Sequence, residues 1–382
     1  MENEDRKSSK RRLLFVFGTR PEALKCYPVI REALKSDQLT TKVCVTAQHR
    51  EMLDQVVALT SMPVDYDLDM MSPGQTLFES TSRILSKMDA VIEAARPDIV
   101  LVQGDTTTAM TAALSAFYKR IPVAHIEAGL RSGDIYSPWP EEANRKIVGD
   151  LAALHFAPTK EARENLIAEG KNPTQIFVTG NTVIDTLLHF SQKLDRDAAL
   201  NAQIAGGFPF LNPDKKLILV TGHRRENFDG GMERICAALS ELSARNDVQI
   251  VYPVHPNPNV RQPVEAALLQ SADIHLIDPQ DYLPFLFLQK VSTLVLTDSG
   301  GVQEEAPSLG KPVLVMRENT ERPEGVTAGT AKLVGTSTEL IVKEATQLLD
   351  DPEAHRQMAR QHNPYGDGRA SERIIEELVR YE

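Results

Sequence analysis

Cysteine is scarce and unpatterned in this chain. Cys26, Cys44 and Cys236 form an odd set with no Cys-x-x-Cys pair and no Cys/His ligand spacing. Neither a disulfide framework nor a structural zinc site is indicated, and a reducing cytoplasm fits. No apolar run approaches the 18 or so residues of a membrane span, so no membrane association is expected. Basic residues between Arg6 and Arg12 precede Leu13-Leu14-Phe15-Val16-Phe17, but this apolar stretch is too short for a signal peptide. Residues 1–11 read instead as a polar leader to a first buried strand.

Positive charge is also in deficit, with 42 Lys and Arg against 53 Asp and Glu and a net charge of −11. That balance disfavours a broad surface for nucleic acid or anionic lipid, and a phosphate ligand would need locally gathered cations. No Gly-x-Gly-x-x-Gly follows a strand, since Gly366-Asp367-Gly368-Arg369-Ala370-Ser371 has none before it. There is no Walker A loop, and His125-Ile126-Glu127 lacks the later Pro-Cys-x-x-Cys of a zinc deaminase. No cofactor and no metal are expected.

What is present is ordinary for a folded protein: 42% hydrophobic and 25% charged residues. At roughly 150 residues per domain, a chain of 382 residues predicts two domains. Short apolar runs recur, each followed by a stretch with helical spacing: Leu13–Phe17, Lys42–Thr46, Ile99–Val102, Pro122–Ile126, Leu217–Thr221, Gln249–Pro253, Leu294–Thr297 and Pro312–Met316. Continuous Val/Ile/Leu runs suit strands buried on both faces of a parallel sheet, and the alternation predicts βαβ units. The first series closes near Phe177-Val178-Thr179, and a polar stretch from Gln192 to Lys216 precedes the second. The expected division is a Rossmann-like domain over 12–185, a second over 186–365, and a C-terminal segment, 366–382, with an amphipathic helix from Ser371 to Tyr381.

In doubly wound sheets ligands sit outside the carboxyl ends of the strands. Those ends read Gly18-Thr19-Arg20-Pro21-Glu22, Gly104-Asp105-Thr106-Thr107-Thr108, His125-Ile126-Glu127-Ala128-Gly129, Gly222-His223-Arg224-Arg225 and Asp298-Ser299-Gly300-Gly301. Any one is satisfied by a glycine turn and a helix cap. Five together point to a shared cleft. At Ser299-Gly300-Gly301 a small-residue turn opens a helix, where free N–H groups favour a phosphate, and Glu305 is placed to accept from ribose hydroxyls. A capping motif with solvated glutamates is the other reading of the same residues. Arg20, Lys25, Arg224, Arg225 and Arg322 are the candidate cations for a diphosphate. Asp105 and Glu127, on neighbouring exits, make a candidate acid/base pair, and Glu141 is a third carboxylate. The run Pro140-Glu141-Glu142 also reads as a plain helix start. His223 reads equally as a catalytic acid and as a satisfied loop histidine.

The ordered motifs resemble those of the bacterial non-hydrolysing UDP-N-acetylglucosamine 2-epimerases. The matching stretches are Phe17 to Ala23, Thr46-Ala47-Gln48-His49-Arg50-Glu51-Met52-Leu53, Gly104 to Thr108, Ile126 to Arg131, Thr179-Gly180-Asn181-Thr182, Thr221 to Glu226 and Asp298 to Gly301. Cys26 and Tyr27 depart from the Met-Ala common after the lysine. The resemblance implies an α/β, GT-B-like fold: two Rossmann-like doubly wound parallel-sheet domains facing a cleft, with the last helix returning to the first domain. It assigns Arg20, Lys25, Asp105, Glu127 and His223 to a nucleotide-sugar site, and adds Gln280, Phe285, Ser299, Gly300, Gly301, Glu305 and Arg322 for uridine, ribose and diphosphate. It implies C2 epimerisation of UDP-N-acetylglucosamine to UDP-N-acetylmannosamine, with Asp105, Glu127, Glu141 and His223 catalytic. A homodimer and an allosteric UDP-sugar site near Gln48, His49 and His255 are implied too. A GT-B glycosyltransferase, a non-catalytic nucleotide-sugar sensor and a hydrolysing epimerase are the competing readings. The paired Asp105 and Glu127 argue against the sensor.

Overall fold

A computed structural model describes residues 10–47, 50–70 and 74–381. They fall in two compact units, one within residues 1–186 and 366–382, the other 187–365. The first unit holds β1 (Arg11–Phe17), β2 (Leu39–Val45), β3 (Tyr66–Asp67), β4 (Ile99–Gln103), β5 (Val123–Ile126), β6 (Leu154–Ala157) and β7 (Ile176–Val178), in the order 3-2-1-4-5-6-7. The second holds β8 (Lys216–Thr221), β9 (Val248–Pro253), β10 (Ile274–Ile277), β11 (Leu294–Thr297), β12 (Val313–Val315) and β13 (Ala331–Leu333), in the order 10-9-8-11-12-13. Neighbouring strands pair parallel throughout both sheets. The α/β class is as expected. No helix among the described residues is long and apolar enough to cross a membrane.

The central strands are buried along their length, as continuous apolar runs require when helices cover both faces. Leu14, Val16, Val100 and Val102 anchor one core; Ile218, Val220, Leu294 and Leu296 anchor the other. Each such side chain contributes about 1.5–3 kcal/mol by leaving water. The apolar runs marked these strands to within a few residues, whereas β3, β6, β10 and β13 carry no comparable run. In β6 the run is broken by His155, and the other three are edge or very short strands. The polar stretch from Gln192 to Lys216 contains helix. The helix Thr182–Arg196 continues into it, and a second helix occupies Ala198–Ala205.

The C-terminal helix Ala370–Arg380 packs on the helix Arg20–Lys35, burying Ile374 and Leu378. The buried Asp185 carboxylate anchors its start, accepting from the amides of Ala370 (3.2 Å) and Ser371 (2.8 Å) and the Ser371 hydroxyl (2.6 Å). Strand order reverses between β1 and β4 in one sheet and between β8 and β11 in the other. Such reversals open crevices at the carboxyl ends of the flanking strands. In register, Val16 lies opposite Val102 and Thr221 opposite Thr297, so the exits on each side of a reversal are level, and Gln103 opposite Ile126 keeps the β5 exit level with that of β4.

His125 and His155 face each other in register across β5 and β6, both fully buried. Burial pushes both imidazoles down, His125 to about 3 and His155 to about 4. His125 stays neutral and donates from Nε2 to the Gly104 carbonyl at 2.7 Å. Below pH 6.5 the unfolded chain takes up protons on both rings while the folded chain does not. Stability is therefore complete above pH 6.5 and declines as the pH falls. At pH 5 we expect a loss of about 2 kcal/mol per histidine. Denaturant titrations at pH 7 and pH 5 measure this, and equal midpoints at the two pH values would contradict it.

Candidate active site

In the first unit, β1 turns through Gly18 into the helix Arg20–Lys35. A Cβ on Gly18 would run into the hydroxyls of Thr46 and Thr108, which bond each other at 2.9 Å, so only glycine fits. Thr19 caps the helix with Glu22 in a capping box. The buried Glu22 carboxylate accepts from Gly18 N (3.1 Å), Thr19 N (2.8 Å), the Thr19 hydroxyl (2.7 Å) and, from the β4 exit, the Thr106 hydroxyl (2.6 Å). Burial raises its pKa, with these hydrogen bonds opposing the rise. The loops bearing Arg20 and Asp105 are thereby tied together. Arg20 sits half-buried at the first helical position, paired with no carboxylate among the described residues.

Glu127, at the exit of β5, adopts a left-handed backbone with φ +63°. Its buried carboxylate is ion-paired with Lys25 and accepts from the Asn181 amide at 3.0 Å. Asp105 is ion-paired with Arg145, whose guanidinium also donates to the Glu127 carbonyl at 3.2 Å. Glu141 opens the helix Glu141–Leu151, four residues before Arg145 and on the same face. The structure thus brings Lys25, Asp105 and Glu127 into one network and sets Glu141 on the helix that grips it.

In the second unit the fully buried Asp298 organises the exit of β8. It accepts from the amides of His223 and Arg224, both at 2.8 Å, and from the Asn227 side chain at 3.3 Å. Its other oxygen lies 3.4 Å from His223 Nδ1. His223 stacks on His255 with centroids 5.4 Å apart and planes 15° apart. Desolvation lowers the His223 pKa, Asp298 opposes that shift, and His255 and Arg224 add to it. Beyond Asp298, Ser299 stands at the N-cap position of the short helix Gly300–Glu305, its side chain making no capping hydrogen bond. The Arg322 guanidinium lies beside Gly300 and is ion-paired with buried Glu304.

Glu305 accepts from the Gln289 amide at 3.2 Å. Phe285, four residues before Gln289 and half-buried, shares that helix face. Gln280 follows edge strand β10 and donates to the Asp278 carbonyl at 2.7 Å, with two strands between β10 and β11. Arg224 lies 3.8 Å from Glu321. Gln48 and His49 lie outside the described residues.

Sequence reasoning missed Arg145, Asn181, Glu304 and the organising roles of Glu22 and Asp298. The i, i+4 spacing of Glu141 and Arg145 was the one local signal for the first of these.

A family model described as UDP-N-acetylglucosamine 2-epimerase matches residues 32–379. The chain belongs to that family. It is accordingly an epimerase, an isomerase, and its fold is GT-B-like. The UDP-N-acetylglucosamine 2-epimerase of Escherichia coli (strain K12) is 56% identical over 368 residues, spanning 96% of this chain and 98% of that relative. The crystal structure of UDP-GlcNAc 2-epimerase from Neisseria meningitidis bound to UDP-GlcNAc matches with a TM-score of 0.89 and 51% identity over 97% of this chain and all of that one (100%). The Methanocaldococcus jannaschii UDP-GlcNAc 2-epimerase in complex with UDP-GlcNAc and UDP matches at a TM-score of 0.79 and 34% identity, covering 97% of this chain and 99% of that one.

Replacing Asp298 by Ala leaves three donors unmet and is expected to cost about 3 kcal/mol or more, while Asn, retaining one acceptor oxygen, costs less. Chemical denaturation of the two variants checks the order. Equal losses would mean that the carboxylate does not organise this loop.

Proposed function

We propose that this protein interconverts UDP-N-acetylglucosamine and UDP-N-acetylmannosamine by eliminating UDP and adding it back. The observation that carries the reading is the network across the neighbouring exits of β4 and β5, where two ionisable carboxylates, Asp105 and Glu127, are each held against a cation. The C2 hydrogen of an N-acetylhexosamine is not α to a carbonyl, so direct abstraction meets a prohibitive barrier. Breaking C1–O releases UDP, places positive charge at C1 and acidifies C2–H. One carboxylate takes that proton, giving 2-acetamidoglucal. Proton return to the opposite face of C2 and re-addition of UDP at C1 complete the inversion.

Asp105, Glu127 and Glu141 carry the proton work, and Arg20 and Lys25 supply positive charge. His223 attends the leaving phosphate. Ser299, Gly300, Gly301 and Arg322 hold the diphosphate, and Glu305, Phe285 and Gln280 the nucleoside. No metal or cofactor takes part in this reading. His255, stacked on His223, belongs with Gln48 and His49 to a second, activating UDP-sugar site. The product feeds bacterial surface polysaccharide synthesis in the cytoplasm, a compartment that suits three buried free thiols. Exposed Phe117 and Tyr118, adjacent in the last turn of the helix Thr107–Tyr118, favour a homodimer.

Incubated with UDP-N-acetylglucosamine alone in deuterium oxide, the protein is expected to form UDP-N-acetylmannosamine labelled at C2, seen by NMR. Oxygen-18 placed in the C1–O–P bridge should scramble. Epimerisation without scrambling would exclude C1–O cleavage with free rotation of the diphosphate, and absence of the epimer would end the reading altogether. Asp105→Asn and Glu127→Gln should each lower turnover by roughly 10² or more, with milder loss of UDP binding. Light scattering tests the dimer.

A further inference from the structure

The helix Glu141–Leu151 grips both strand exits of the first unit with two consecutive residues. Arg145, only 9% exposed, is ion-paired with the Asp105 carboxylate and donates from Nη1 to the Glu127 carbonyl at 3.2 Å. Asn144, also buried, donates its amide to the Asp105 carbonyl at 3.0 Å. Arginine is suited to this place because its planar fork can meet a carboxylate and a carbonyl at once, whereas an ammonium is a single point of charge. The Glu127 backbone also needs a holder. At φ +63° a residue with a Cβ is strained, and it keeps that conformation only where its surroundings impose it. A donor on the Glu127 carbonyl is one such restraint, and it comes from the side chain that also holds Asp105.

We propose that Arg145 is the positioning residue of this site: it fixes the Asp105 carboxylate and the Glu127 backbone relative to each other and joins both to the helix that carries Glu141. This rests on the reading that Asp105 and Glu127 move the C2 proton. Proton transfer is sensitive to misplacement well below an ångström, so loosening the pair lowers turnover more than substrate binding.

The test uses full-length wild type, Arg145→Met and Arg145→Lys, with kinetics on UDP-N-acetylglucosamine corrected for folded fraction by thermal unfolding. Arg145→Met should lower kcat about 10²-fold with KM within about threefold of wild type. Arg145→Lys keeps a cation at Asp105 and should regain about tenfold of that loss. Guanidinium ion at tens of millimolar should restore part of the activity of Arg145→Met and leave wild type unchanged. If wild type epimerises while Arg145→Met keeps kcat within threefold, this proposal alone falls. It falls equally if the loss vanishes on correction for folded fraction and guanidinium has no effect. If wild type forms no UDP-N-acetylmannosamine, the underlying reading falls and the proposal with it. Should Arg145→Met fail to fold, Arg145→Lys decides: about tenfold lower kcat at unchanged KM supports the proposal, and kcat within threefold of wild type overturns it.

Discussion

A carboxylate taken out of water must be met by donors or cations, and in this protein that requirement fixes loops at the carboxyl ends of the strands. Glu22 collects two amides and two hydroxyls from the exits of β1 and β4. Asp298 collects two amides and a side-chain amide from the exit of β8. Asp185 caps the C-terminal helix in the same manner. Each is a short acidic side chain meeting main-chain N–H groups that would otherwise lack partners. Removing the acceptor costs more than one hydrogen bond is worth, because several buried donors lose their partners together.

Glu22 and Asp298 sit where the sheet topology opens a crevice. The strand order reverses at β1/β4 and at β8/β11, and the level registers there bring glycine-led exits side by side. Loops tied down at such points present their side chains with little reorganisation left to make. The Lys25–Glu127 and Arg145–Asp105 pairs follow the same logic with whole charges. Each cation lies against the charge of its partner carboxylate. The left-handed Glu127 is the local strain that this framework sustains.

The fold was legible where one physical demand dominated a short window of chain. A strand buried on both faces must be apolar at every position, so Leu13–Phe17, Ile99–Val102 and Leu294–Thr297 announce themselves. Edge strands escape that demand. Ile274–Ile277 and Ala331–Leu333 have one neighbour each, and β6 hides a buried neutral histidine that reads as polar. The polar run after Gln192 hid its helices because helical surface and loop share a composition.

The site divides along the same line. Chain direction alone put Gly18 to Glu22, Gly104 to Thr108, Glu127, Gly222 to Arg224 and Asp298 to Gly301 at the carboxyl ends of strands, and their residue types already suggested anions, cations and proton transfer. Pairings were another matter. Lys25 and Glu127 are 102 residues apart, Arg145 and Asp105 are 40, and Asp298 and His223 are 75. An arginine in a helix reads as solvated surface until a partner is known. The sequence by itself determined the strands that are continuously apolar and the chemical character of their ends, because burial and turn formation act on neighbours along the chain. The tertiary structure alone decided which charge meets which, because long-range pairings depend on strand order, register and the packing of helices above them.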